Sequence, residues 1–80
     1  MYKVIDLQLA GREFWGGHIF KTEKEIVNAL ASYHDIDFTG TDDKDNELSI
    51  EEYFEFWGIN TIQERLSWLC EYGEWEVKKI

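Results

Sequence analysis

The opening positions of the chain alternate. Ile5, Leu7 and Leu9 fall on one face and Asp6 and Gln8 on the other, the period-two pattern of a half-buried strand over Tyr2–Leu9. Ala10-Gly11-Arg12-Glu13 supplies a turn, and Phe14–Phe20 predicts a second strand, so the chain is expected to open as a β-hairpin. Gly16-Gly17 inside that second run predicts a bulge or a close backbone approach.

Downstream the apolar period lengthens to that of a helix. Thr22-Glu23-Lys24-Glu25, Ser49-Ile50-Glu51-Glu52 and Thr61-Ile62-Gln63-Glu64 repeat one signature, a hydroxyl followed three positions on by Glu. The hydroxyl accepts from a free first-turn amide and the Glu reaches back, so each marks a helix start. The first helix is expected to run to about Tyr33, burying Ile26, Leu30 and Tyr33. The second places Ile50, Tyr53, Phe54 and Trp57 on one stripe, with Gly58 as its stop. The third packs Ile62, Leu66 and Leu69 and is expected to end at Gly73 in the same way. Trp75–Ile80 alternates like an edge strand, expected to return antiparallel to the first. The order ββαααβ defines an α+β fold, a small antiparallel sheet of N-terminal hairpin and C-terminal strand covered by three helices. Residues 1–80 read as one compact acidic domain and a whole gene product.

Composition changes this picture in two ways. Hydrophobic residues make up 44% of the chain and aromatics 16%, which supplies a core to a domain near the lower size limit for folding without staples. Cys70 is the single cysteine, so no internal disulfide is possible, and no apolar leader or bilayer-length run is visible. These features predict the reducing cytoplasm and no membrane partner.

Charge changes it more. The net charge is −9, but residues 1–21 sum to +1, whereas Asp35–Glu76 carries thirteen carboxylates against Lys44 and Arg65 alone. A surface of that sign repels phosphates and attracts basic proteins, which argues against direct nucleic-acid binding.

The sharpest motif is the segment Thr41–Glu52. On a calcium-loop frame, Asp43 and Asp45 take the third and fifth positions, Asn46 takes the left-handed turn position, Leu48 the apolar eighth and Glu52 the bidentate twelfth. The likeness to an EF-hand loop covers twelve residues, fails at the first ligand, where Thr41 replaces Asp, and lacks a helix leading directly in. Asp43, Asp45, Glu47 and Glu52 are the calcium candidates; a solvated acidic loop closed by the Ser49 cap explains the same residues. His18, His34 and Cys70 lie on separate elements without zinc spacing, and His34 falls at a helix end, where an imidazolium suits the carbonyl dipole. No nucleophile elbow or phosphate-binding loop is present, so no catalytic residue, cofactor or enzymatic activity is expected. Trp68 and Tyr72 stand four apart, off the Ile62–Leu66–Leu69 stripe and beside Glu64 and Glu71, as interface anchors do. Covering the sheet or a homodimer partner is the other role open to them.

Met1-Tyr2-Lys3-Val4-Ile5, Ala31–Phe38 and Tyr72-Gly73-Glu74-Trp75-Glu76-Val77 together resemble the small acidic proteins encoded by phages and prophages of Gram-positive bacteria. The resemblance lies in general texture over most of the length. It implies an early gene product acting on host machinery, in some cases by blocking defence nucleases, and it transfers no functional residue.

These readings converge on an expected non-enzymatic protein-binding module, an inhibitor that presents carboxylates where a nucleic-acid-binding host protein expects phosphates. The residues expected to meet that partner are Asp42, Asp43, Asp45, Glu47, Glu51 and Glu55, with Trp68 and Tyr72 as apolar anchors. Acidity that serves solubility alone, a calcium-responsive module and a self-associating structural subunit are the alternatives.

Overall fold

The computed structural model describes residues 1–80 and has the expected element order, ββαααβ, in an α+β arrangement. Strand β1 (Tyr2–Asp6) lies at the centre of a three-stranded antiparallel sheet, between β2 (Arg12–Glu13) and β3 (Trp75–Lys79). Val4 stands opposite Val77, and Asp6 opposite Trp75. Val4 and Trp75 are buried on the helix-facing side. The inward face is therefore the one carrying Val4, not the expected Ile5–Leu7–Leu9 face; Leu7 and Leu9 lie beyond the strand end and are exposed. Val4 and Ile5 are both apolar, and the long-range pairing with β3 decides between them.

The second expected strand is also corrected. After two residues β2 gives way to a 3-10 turn, Phe14–Gly16. Trp15, Gly16 and Gly17 have φ of 51°, 65° and 88°, a left-handed run that no strand accommodates. The two glycines thus turn a corner. Phe20 returns to exchange backbone hydrogen bonds of 2.8 and 2.9 Å with Tyr2, beside β1.

All three helix starts fall where the hydroxyl–Glu spacing places them. In α1 (Glu23–Asp35) Thr22 accepts from the Glu25 amide, while the Glu25 carboxylate accepts from Lys21 one residue further back. In α2 (Ile50–Phe56) the box is reciprocal: Glu52 N–H donates to Ser49 Oγ at 3.2 Å, and Ser49 N–H to Glu52 Oε1 at 2.9 Å. In α3 (Ile62–Gly73) the Glu64 amide donates to Thr61, whose hydroxyl donates to the Glu64 carboxylate.

Helix α2 has seven residues, too few to persist alone. Burial of Ile50 and Phe54 holds it, as does Asp35 at the end of α1, whose Oδ1 accepts from Ile50 N–H at 2.9 Å. Left-handed Gly58 ends it, with Ile59 N–H donating to Phe54 C=O at 2.8 Å, the Schellman pattern. Helix α3 ends differently from expectation. Gly73 is still helical, and Glu74 takes the left-handed position at φ 56°. What Gly73 provides is space: a Cβ there would strike the Trp75 indole and the His34 imidazole.

The twelve buried apolar side chains form one cluster, with Ile26, Leu30, Phe54 and Leu69 at its centre. Two aromatics expected there lie outside. Tyr33 is exposed on α1, and Trp57, one residue past α2, is 49% exposed.

Candidate functional site: an acidic loop beside an aromatic face

The loop between α1 and α2 is a small hairpin, not a calcium cradle. Thr41 bridges to Glu47, Asp42 N–H donates to Asn46 C=O at 3.0 Å, and Leu48 N–H donates to Gly40 C=O at 3.0 Å. Asp45 takes the left-handed position, φ 62°, so the expectation that Asn46 does so is corrected. A tight turn followed by one left-handed residue is a common hairpin closure, and Asp tolerates it.

Asp42 organises this turn. Its Oδ1 accepts from the Lys44 and Asn46 amides at 2.8 and 3.0 Å, and its Oδ2 from Asn46 Nδ2 at 3.1 Å. These bonds, from Asn46 foremost and then Lys44, hold the Asp42 carboxyl below its ordinary pKa. The Glu52 carboxyl is lowered likewise by its bonds from Ser49. Asp42 is thereby a tie within the loop, and Glu52 a helix cap. The calcium candidates Asp43, Asp45, Glu47 and Glu52 are not drawn into one shell, and no three His, Cys, Asp or Glu side chains anywhere in the chain converge as metal ligands would.

Asp43, Asp45, Glu47, Glu51 and Glu55 remain exposed. None is in an ion pair; the single salt bridge of the protein joins Lys3 to Glu13 at 3.3 Å, on the sheet. The loop that carries the first three is closed at both ends, and Glu51 and Glu55 follow it on α2. Trp57 Nε1–H donates to Thr41 C=O at 3.0 Å across the loop entrance, and the Ser49–Glu52 box fixes its exit. Residues 41–57 therefore form one hydrogen-bonded unit bearing unpaired negative charge.

An aromatic face adjoins it. Trp68 and Tyr72 stack at 4.9 Å with planes 10° apart. Trp68 also meets Phe38, Tyr53 and Phe54 edge-on or tilted, at 5.2–5.9 Å, so it is half core, whereas Tyr72 is 45% exposed. The pair covers the α1–α2 connection, not the sheet. Phe38 and Tyr53 extend this face toward Trp57, a continuity the helical spacing could not reveal because Phe38 lies in a loop.

Elsewhere His34 Nε2 accepts from Trp75 Nε1–H at 2.7 Å, which requires a neutral imidazole with its proton on Nδ1. Burial lowers the His34 pKa, against the raising pull of Asp37 and Asp6. The expected dipole-capping cation is therefore corrected to a neutral acceptor. Burial pushes the Cys70 thiol up, away from nucleophilic reactivity. A second exposed patch, unanticipated from the sequence, gathers Leu9, Trp15 and Tyr33 around a shallow groove with Arg12.

Comparison of the chain with protein-family models, with curated proteins and with solved structures found no match.

Proposed function

We propose that the protein is a non-enzymatic binding module that engages the basic surface of a nucleic-acid-processing host protein and competes there with phosphate. The observation that carries this reading is the unit 41–57, where five exposed carboxylates on a fixed frame have no cation within salt-bridge reach. Carboxylates tied into internal ion pairs would already have spent their field; these have not. Pre-organisation also matters, because a frame held by hydrogen bonds loses little conformational entropy on docking. Trp68 and Tyr72 supply an apolar, π-faced margin against which arginine side chains of a nucleic-acid groove pack well. A host-cell cytoplasmic setting, as the resemblance to phage-encoded acidic proteins implies, belongs to the same proposal.

The test is capture of basic proteins from a bacterial lysate by the immobilised chain, beside a variant carrying D43N, D45N, E47Q, E51Q and E55Q. Captured nucleic-acid-binding proteins should elute with duplex DNA and be lost from the neutralised variant. Equal capture by both chains, or indifference to DNA, rejects the proposal.

A further inference from the structure

The free edge of the sheet carries a self-complementary pattern, and we infer that β3 pairs antiparallel with β3 of a second copy of this chain, centred on Val77. Along β1, Leu7 N–H donates to Glu74 C=O and Ile80 N–H to Met1 C=O, each at 2.9 Å. Hydrogen-bonding direction alternates along an antiparallel strand, so the even-numbered residues of β3 face β1. Trp75, Val77 and Lys79 then direct N–H and C=O away from the sheet, where β3 is the outermost strand.

A two-fold axis through Val77 sets Val77 opposite its own copy and Trp75 opposite Lys79, so the outward-facing residues pair with one another. The same axis places Glu76 opposite Lys78, twice, at the non-hydrogen-bonded positions where side chains approach most closely. Both residues are exposed and neither has an ion-pair partner within its own chain. Lys78 is in fact opposed by Lys3 across the β1–β3 ladder, a like-charge pairing that is unfavourable in isolation. Lys3 has Glu13; Lys78 gains its carboxylate from the second copy. Self-association is opposed by net charge over most of this surface, but the sheet holds Lys3, Arg12, Lys78 and Lys79, four of the eight bases. Edge lysines often serve to discourage pairing, yet here Lys78 falls opposite Glu76. A five-residue edge is small beside the ~1,000 Å² of a stable interface, so the dimer is weak and concentration-dependent.

Sedimentation equilibrium of the full chain tests this. The wild-type mass should climb toward that of a dimer with concentration, and E76K or K78E alone should remain monomeric. An equimolar mixture of those two variants should associate again, because each then opposes lysines with glutamates. V77P removes an outward-facing N–H that an edge strand can spare, together with part of the half-buried Val77 side chain, and should stay folded by circular dichroism and monomeric. A wild type that is monomeric throughout, a dimer indifferent to both reversals, or reversals that fail to complement each other would each overturn the inference.

Discussion

Replacing Gly73 by Ala sets two physical effects against each other, and the sign of the outcome separates them. Gly73 is the last helical residue of α3, where helix propensity alone makes Ala more stable by about 1 kcal/mol. The structure predicts the reverse. A Cβ at this position would overlap the indole of Trp75 and the imidazole of His34, and Trp75 is itself buried in the core. Overpacking of this kind costs about 1–3 kcal/mol. Separation of the rings also removes the 2.7 Å bond between them, a further loss of about 1 kcal/mol. Allowing for the propensity gain, G73A should be about 2 kcal/mol less stable than wild type. At roughly 4–8 °C per kcal/mol for a domain of this size, the melting temperature falls by about 8–16 °C. Urea unfolding followed by Trp fluorescence reads both quantities. In an H34A background, where one obstructing ring is absent, the same substitution should cost clearly less. A G73A protein as stable as wild type, or more so, would refute the close-packing account of this glycine.

Three further outcomes follow from the same contacts. S49A removes the acceptor of the α2 capping box and should cost about 1 kcal/mol, with faster hydrogen exchange at the Glu52 amide; unchanged exchange there contradicts the cap. His34 holds a proton less readily in the folded chain than its ordinary pKa of 6.5, so its contribution to stability is complete above that value. That contribution is lost as pH falls through the lower folded pKa; H34Q should lack this loss between neutrality and pH ~5, a window above the ordinary carboxylate range, and an unaltered pH profile excludes the mechanism. Millimolar calcium should leave Trp fluorescence unchanged, since Glu52, the bidentate candidate, already accepts from the Ser49 amide and Asp43, Asp45 and Glu47 are not gathered into one shell with it, and a saturable change would revive the calcium-module reading.

Most of what the sequence made legible was local. The three hydroxyl–Glu boxes need only residues within one helical turn, and all three mark real helix starts. The antiparallel return of β3 followed from its alternation and place in the order. The failures were non-local. Which face of β1 is inward depends on Val77 and Trp75, about seventy positions away. Trp57 looked like core on spacing, but the helix ends before it and its indole turns to Thr41. Gly73 carried a signal for chain reversal, although its function is to admit two rings from other elements. The candidate site divides in the same way. The acidity of residues 42–55 was plain, whereas the conversion of Asp42 and Glu52 into internal ties required the folded hairpin to be seen.

The most direct measurement is the salt dependence of affinity for a captured basic partner, recorded for wild type and for the five-site neutralised chain at matched stability. A steep fall of log affinity with log salt for wild type, flattened in the variant, is what a pre-organised anionic surface produces. Parallel slopes in the two proteins would mean that these carboxylates only keep the molecule dissolved.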